Sequence, residues 1–182
     1  MKKVLLLGDS IRLGYQPYVE QGLLGQALVA GPEDNGRFSK YTLWGINLWL
    51  QEFGKPDIVH WNNGLWDVHH EAPMMEALTS LEEYLENLRR IANELERMGA
   101  RIIFASTTPV HPEAKGRSNA EIDLYNQAAS DLMYSRNIEI HDLNGLIRTE
   151  WEDFIHEDRL HLNEKGYRKC ANQIVEKIRE YL

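Results

Sequence analysis

Short apolar runs alternate along the chain with longer segments in which apolar residues recur every three to four positions. The runs are typical of parallel strands covered on both faces, and the spaced segments are typical of amphipathic helices. The pattern predicts strands at 3–7, 26–30, 57–61, 100–107 and 138–143. It predicts helices at 39–53, 75–98 and 119–135, a helix after the first strand, and a last helix that begins at Asn163.

This alternation predicts an α/β protein in which a parallel sheet of about five strands lies between two layers of helices, a three-layer α/β/α sandwich. The 182 residues contain no repeat, low-complexity segment or linker, which predicts a single domain spanning residues 1–182. Ligands of such sheets bind beyond the carboxyl ends of the strands. The segments that follow the predicted strands are therefore the places to look for chemistry.

Composition narrows the functional classes. The formal net charge of −8 argues against a nucleic-acid partner or an anionic membrane surface, since both bind basic faces. The lone cysteine, Cys170, excludes an intrachain disulfide and fits a reducing compartment. The apolar run at the N-terminus, 4–7, is too short for a signal-peptide core, which predicts a cytoplasmic protein. A leader removed earlier would leave no trace in this chain.

The first predicted strand ends in Gly8-Asp9-Ser10. Asp and Ser at this point are typical helix caps, and a serine here is also a candidate nucleophile. The segment matches neither of the glycine-rich phosphate-binding patterns, G-x-G-x-x-G and G-x-x-x-x-G-K-[ST]. It also lacks the G-x-S-x-G pattern of the α/β-hydrolase nucleophile elbow.

A partner for this serine occurs near the other end of the chain, in "EDRLHLNEKGY". Asp158 and His161 are separated by two residues there, just before the last predicted helix. A nucleophilic serine needs a base that takes its proton, and the base needs a group that fixes its tautomer. An Asp three residues before a His on a tight loop can do this. Asn163 accounts for the helix start, which leaves Asp158 and His161 without a structural role.

The two motifs together resemble those of the SGNH (GDSL-type) hydrolases, which have GDS after the first strand and D-x-x-H before the last helix. The resemblance covers nearly all of the chain and implies the flavodoxin-like SGNH hydrolase fold. It implies that Ser10 is the nucleophile, that His161 is the general base and acid, and that Asp158 orients His161.

The family's oxyanion hole combines the serine amide, a glycine amide after the second strand and an asparagine side chain after the third. The resemblance implies Ser10 and Gly36 for the two amides. The usual G-x-N-D block is altered here to "NNGLWD", with Trp66 at the position of the asparagine. We therefore expect Asn63 to be the side-chain donor, with Asn62 as the second choice. The alternative for these residues is a tight Asn-Gly turn.

Three further residues are candidates for substrate binding. Trp66 and Asp67 lie on the loop after the third strand, where they could line a pocket. Arg12 lies close after Ser10 and is suited to an anionic substrate group or to a neighbouring carboxylate. We expect no metal site, because the scattered histidines include no H-E-x-x-H pattern and the lone cysteine lies inside the last helix.

These observations predict a serine esterase without a cofactor that acts on a small-molecule ester, an acetyl group on a sugar or other alcohol being the favoured substrate. A thioesterase or lysophospholipase of the same family and a non-catalytic binding module on the same fold are the alternatives. A flavodoxin-like nucleotide binder is disfavoured because no phosphate-binding loop follows the first strand. Neither nucleic acid nor membrane is an expected partner, and the oligomeric state stays open.

Overall fold

One sheet of five parallel strands organises the computed structural model, which describes residues 1–182. The strands are β1 (Lys2–Leu7), β2 (Ala27–Ala30), β3 (Ile58–Trp61), β4 (Arg101–Ala105) and β5 (Glu139–His141), in the spatial order β2-β1-β3-β4-β5. Leu7 pairs with Trp61, and Trp61 pairs with Phe104. The carboxyl ends of β1, β3 and β4 therefore meet side by side at one edge of the sheet.

Seven helices connect and follow the strands. They are α1 (Ser10–Gly22), α2 (Ser39–Phe53), α3 (Leu81–Arg97), α4 (Asn119–Ser135), α5 (Leu143–Arg148), α6 (Trp151–Phe154) and α7 (Glu164–Arg179). The step from β1 to β2 crosses the sheet in one direction and all later steps cross it in the other. Right-handed crossovers then place α1 on one face and α2, α3 and α4 on the opposite face. Helix α7 packs against α1, which completes the predicted three-layer α/β/α sandwich.

The helix predicted at 75–98 is shorter than expected. It begins at Leu81, because Ser80 is the N-cap and its hydroxyl accepts a hydrogen bond from the Glu83 amide at 3.2 Å. The amides of Leu78 and Thr79 are bonded back to carbonyl groups of the preceding loop, at 2.8 and 3.1 Å. These bonds hold the segment before Ser80 outside the helix. The short helices α5 and α6 were not predicted, since four to six residues show no helical period.

The N-terminus of α2 is satisfied by a residue distant in sequence and not by its own N-cap. Ser39 is the first helical residue, and the N-cap, Phe38, makes no side-chain capping bond. The Ser39 amide instead donates to both carboxylate oxygens of Asp67, each at 3.0 Å. A residue from the loop after β3 therefore satisfies the N-terminus of α2.

Close packing of α1 on α7 brings the two ends of the chain together. A Cβ atom at Gly14 would lie 2.1 Å from the ring of Tyr167, and one at Gly22 would lie 2.7 Å from the Val175 side chain. The two glycines are eight residues apart and therefore lie on similar faces of α1.

None of the helices is long and apolar enough to span a lipid bilayer.

We predict that Gly14→Ala destabilises the protein although alanine is the better helix former. The overpacking against Tyr167 costs about 1–3 kcal/mol, which exceeds the helix-propensity gain of at most about 1 kcal/mol. Urea unfolding of Gly14→Ala, Tyr167→Ala and the double variant measures the effect. We expect the double variant to lose less stability than the sum of the single losses. Additive losses would contradict the proposed contact.

Candidate active site

Ser10 is presented by the turn from β1 into α1. Gly8, at φ +150°, turns the chain, and a Cβ atom there would lie 2.0 Å from Oδ1 of Asn62. Asp9 is the N-cap of α1, and its Oδ1 accepts a hydrogen bond from the Ile11 amide at 2.9 Å. Ser10 follows as the first residue of the helix and is half-buried. The capping interpretation thus applies to Asp9 and leaves the Ser10 hydroxyl available.

The loop that carries Asp158 and His161 is closed at its base. Ile155 and Leu162 form an antiparallel bridge, and the His156 amide donates to the His161 carbonyl at 2.8 Å. Asn163 then caps α7, as predicted, through a 3.1 Å bond from the Gly166 amide. The fixed base holds the residues between Ile155 and Leu162 as a turn at the carboxyl edge of the sheet.

The structure brings the three predicted triad residues into one line. The Ser10 hydroxyl lies 2.9 Å from Nε2 of His161, and Nδ1 of His161 lies 2.7 Å from Oδ2 of Asp158. The other Asp158 oxygen accepts the amides of Leu160 and His161, both at 2.9 Å. Partial burial by itself raises the pKa of Asp158, but the Leu160 amide and the His161 ring and amide outweigh it and lower the pKa to about 2.

This geometry fixes what each group can do. Since an ionised carboxylate only accepts hydrogen bonds, Nδ1 of His161 carries the hydrogen that Asp158 receives. In the neutral ring, Nε2 is then the free base, and it faces the Ser10 hydroxyl. The arrangement is that of a nucleophile, a general base and an orienting carboxylate.

Asn63, the first choice for the oxyanion donor, is fully engaged within the protein. Its side-chain amide donates to the Arg37 carbonyl at 3.1 Å and to the Thr42 hydroxyl at 3.0 Å. Its Oδ1 accepts the indole N–H of Trp61 at 2.7 Å. Both amide hydrogens are used and the side chain is buried. In this structure Asn63 therefore fixes the loop after β3 and has no hydrogen to offer a substrate.

Gly36 is engaged in a similar way, because its amide donates to the Gly8 carbonyl at 2.9 Å. A Cβ atom at Gly36 would lie 2.5 Å from that same carbonyl oxygen, so the two loops are in direct contact. The amide of Ser10, in contrast, donates to no protein acceptor. Of the two predicted backbone donors, the structure leaves that of Ser10 free.

Asn62, the second choice, keeps one amide hydrogen. Its Nδ2 donates to Oδ1 of Asp9 at 3.1 Å, and its Oδ1 accepts the Tyr15 hydroxyl at 3.2 Å. These two bonds fix the amide next to the residue that precedes Ser10. Tyr15 was not among the residues predicted for the site, although a tyrosine on the buried face of α1 needs a partner for its hydroxyl.

Arg12 donates hydrogen bonds neither to a neighbouring carboxylate nor toward the surface, the two possibilities that the sequence suggested for it. The side chain is completely buried. Its guanidinium donates to the Gln16 side chain, to the Pro32 carbonyl and to the Asp34 carbonyl, each at 2.7 Å. Arg12 therefore ties α1 to the loop after β2, and its burial lowers its pKa.

Asp67 bonds within the protein, as Arg12 does. Its neighbour Trp66, the other candidate on this loop, reaches the surface. Asp67 is completely buried and accepts the Ser39 hydroxyl at 2.6 Å in addition to the Ser39 amide. Burial raises the pKa of Asp67 to about 6, against the lowering effect of the Ser39 hydrogen bonds. Trp66 is half-buried on the same loop.

Comparison with known proteins places this site in a family. The family model described as the GDSL-like lipase/acylhydrolase family matches residues 6–169, which include Ser10, Asp158 and His161. The chain belongs to the GDSL-like lipase/acylhydrolase family. This confirms the resemblance to the SGNH hydrolases that the two motifs indicated.

Two solved structures share the fold of this chain. A lipase/acylhydrolase from Enterococcus faecalis superposes with a TM-score of 0.85 at 20% identity, covering 100% of this chain and 97% of its own. The acetylxylan esterase Axe2 from Geobacillus stearothermophilus superposes with a TM-score of 0.79 at 20% identity, covering 97% of this chain and 94% of its own.

A curated relative in plants matches in sequence. The GDSL esterase/lipase WDL1 of Oryza sativa subsp. japonica is 28% identical over 115 residues, which are 55% of this chain and 44% of that protein. The match therefore spans less than half the length of this curated GDSL relative.

We predict that the buried carboxyl group of Asp67 makes stability fall as the pH rises. Its pKa of about 6 lies above the unfolded value of 3.8, so the folded state holds more protons between these values. Relative to Asp67→Asn, the wild type should lose between about 2 and 3 kcal/mol of unfolding free energy between pH ~4 and pH ~7.

Urea unfolding of both proteins across this range measures the difference, which removes the contribution of groups common to both. A difference that is constant or that grows with pH would contradict the prediction. It would mean that the hydrogen bonds from Ser39 outweigh burial.

Proposed function

We propose that this protein is a serine esterase that hydrolyses carboxylic esters of small acyl groups, with an acetyl group on a carbohydrate or another alcohol as the favoured substrate. The observation that carries the proposal is the line from the Ser10 hydroxyl through His161 to Asp158, at 2.9 and 2.7 Å. A hydroxyl, an imidazole and a carboxylate in this order form an acyl-transfer triad.

In the proposed mechanism, Oγ of Ser10 attacks the ester carbonyl carbon while Nε2 of His161 takes the hydroxyl proton. The resulting tetrahedral intermediate breaks its bond to the alcohol oxygen, and His161 returns the proton to the leaving alcohol. Water, deprotonated by His161, then attacks the acyl-enzyme, and the second intermediate breaks its bond to Oγ of Ser10, which takes the proton back from His161 as the acid is released. Asp158 stabilises the imidazolium that forms in each half of the reaction.

We assign the oxyanion contacts to the Ser10 amide and to the remaining amide hydrogen of Asn62. The Ser10 amide stands at the positive end of α1 and has no protein acceptor. Asn62 is held by Tyr15 and Asp9, so its amide is oriented before a substrate arrives. Donors fixed in advance are the most effective stabilisers of a developing oxyanion.

Two observations support a short acyl group. The residues that surround Ser10 in the fold, among them Gly8, Asp9 and Asn62, are small or polar and closely packed. An apolar groove of about 130 Å³ lies beside β2 and is lined by the first half of β1. Ser10 follows the opposite end of β1, so this groove is not placed to hold a long acyl chain. The acetylxylan esterase with the same fold supports acetyl as the first group to test.

We predict that Ser10→Ala abolishes hydrolysis of p-nitrophenyl acetate and of acetylated xylo-oligosaccharides, with a loss of at least about 10³-fold in kcat. A fluorophosphonate should label the wild type at Ser10 and leave Ser10→Ala unlabelled, as detected by mass spectrometry. Ser135→Ala, at the exposed end of α4, is the matched control and should keep full activity.

Equal hydrolysis by wild type and Ser10→Ala would exclude the esterase mechanism and favour a binding module. A series of p-nitrophenyl esters from acetate to octanoate tests the acyl length. Faster turnover of octanoate than of acetate would refute the preference for a small acyl group and favour a lysophospholipase-like or thioesterase-like activity.

We predict that Asn62→Ala lowers kcat by about 10²–10³-fold with a KM within about twofold of the wild type, as expected for a lost oxyanion donor. Asn63→Ala serves as the neighbouring control. It should lower the melting temperature through its lost structural bonds and keep kcat close to normal where it is folded. The reverse pattern, with kcat lost only in folded Asn63→Ala, would return the role to Asn63.

A further inference from the structure

Arg117 combines an anchored position with unused hydrogen-bond donors. It lies on the loop between β4 and α4, and its Nε donates to the Leu65 carbonyl at 2.6 Å. Its two terminal nitrogens take part in no hydrogen bond or ion pair, and they are not among the atoms closed off from solvent. The half-buried guanidinium therefore presents four N–H groups that the protein does not use.

The loop that carries Arg117 is fixed to the loop that follows β3. The carbonyl of Gly116 accepts the His70 amide at 2.8 Å and faces Nδ1 of His69 at 3.2 Å. Ser118 caps α4 through a 3.2 Å bond from the Glu121 amide. Anchors directly before and after Arg117, together with the bond to Leu65, hold the guanidinium at the carboxyl edge of the sheet.

The bond to the Leu65 carbonyl places Arg117 against the loop after β3, three residues from Asn62, whose side chain donates to Asp9 beside Ser10. Burial lowers the pKa of Arg117, while the carboxylates of Asp9, beside Ser10, and then of Glu71 raise it. Neither carboxylate takes a hydrogen bond from it. Asp9 accepts from the Ile11 amide and from Asn62, and Glu71 lies 2.8 Å from the His69 ring.

Other arginines that follow strand ends already have partners. Arg12 is buried among carbonyl acceptors, Arg37 lies over the Tyr41 ring at 4.7 Å, and Arg159 pairs with Glu113 at 3.0 Å. Arg117 differs from Arg12 and Arg159 because its terminal N–H groups lack any acceptor, and from the exposed Arg37 because an Nε bond to the Leu65 carbonyl anchors it. A planar guanidinium with a free terminal pair matches a carboxylate, which it binds through two parallel hydrogen bonds.

We propose that Arg117 binds a carboxylate of the substrate, so that the enzyme prefers esters that carry a carboxylate close to the scissile bond. The inference rests on the proposed esterase function and adds a substrate class to it. The carboxylate belongs either to the alcohol, as in an acetylated sugar acid, or to the acyl group, as in the half-ester of a dicarboxylic acid. Both present the same planar anion to Arg117.

Matched ester pairs test the proposal in both arms. For the alcohol side, 4-acetoxybenzoate is compared with its neutral methyl ester. For the acyl side, mono-p-nitrophenyl succinate is compared with p-nitrophenyl butyrate. In the preferred arm, Arg117→Gln should raise KM for the charged ester by about 10- to 100-fold, with kcat within about twofold. The neutral ester should be unaffected, and Arg117→Lys should keep part of the preference.

Arg90→Gln, an exposed arginine change on α3, is the control for a simple loss of positive charge and should leave both pairs unchanged. A merely structural role for Arg117 would change charged and neutral esters equally, which would overturn the proposal. An unchanged KM for both charged esters in Arg117→Gln would overturn it as well.

A binding measurement keeps this result separate from the proposed function. Calorimetry on Ser10→Ala should detect 4-acetoxybenzoate or mono-p-nitrophenyl succinate, and adding Arg117→Gln should abolish that binding. One outcome is that the wild type hydrolyses no ester while Ser10→Ala binds the anion and the double variant does not. In that case the esterase mechanism is refuted and the carboxylate site is supported. If esters are hydrolysed and neither anion binds through Arg117, the carboxylate site fails alone.

Discussion

The packing of α1 against α7 is the contact on which the candidate active site depends. Ser10 is the first residue of α1, and His161 lies three residues before the start of α7, so the spacing of these helices sets the distance between the two side chains. A single hydrogen bond of this type contributes about 1 kcal/mol net and cannot hold the ends of a chain together. The contacts of Gly14 with Tyr167 and of Gly22 with Val175 fix the spacing instead.

A second constraint is that polar groups buried at the carboxyl edge must satisfy one another. Arg12, Asn63 and Asp67 are completely buried, and each bonds to a segment distant in sequence. Leaving such groups unpaired would cost about 1–3 kcal/mol each, more for the charged ones. Their pairing locks the loops after β2 and β3 around Ser10. The rigidity of the candidate site therefore comes from buried residues outside the Ser10, His161 and Asp158 line.

Features set by local patterns could be predicted from the sequence, and features set by partners distant in sequence could not. The strands and the pair Asp158 and His161 follow local patterns: apolar runs of fixed length, and two residues on one tight turn. The role of Asn63 depends on partners that local patterns do not reveal, namely the Trp61 indole and the Arg37 carbonyl. Arg117 escaped notice for the same reason, since a lack of partners becomes visible only once the loops are in place.

A chain of buried hydrogen bonds behind Asn62 has one consistent direction. Because Tyr15 donates to Asn62, its oxygen is free to accept from Nδ1 of His60, 3.4 Å away. Nε2 of His60 must then accept, and Nδ1 of His141, at 3.1 Å, must donate.

Burial keeps both rings of this chain neutral. It lowers the pKa of His60 well below the usual value and that of His141 to about 4, so neither ring takes up a proton that would reverse the donors near neutral pH. The hydrogen bonds therefore all run in one direction, from His141 in the edge strand β5 through His60 and Tyr15 to the amide of Asn62 and then to Asp9. Cooperative chains of this kind strengthen their last donor. His60 and His141 therefore support the Asn62 amide, which donates to Asp9 directly before Ser10. This hydrogen-bonding role accounts for two buried histidines that apolar packing alone would not require.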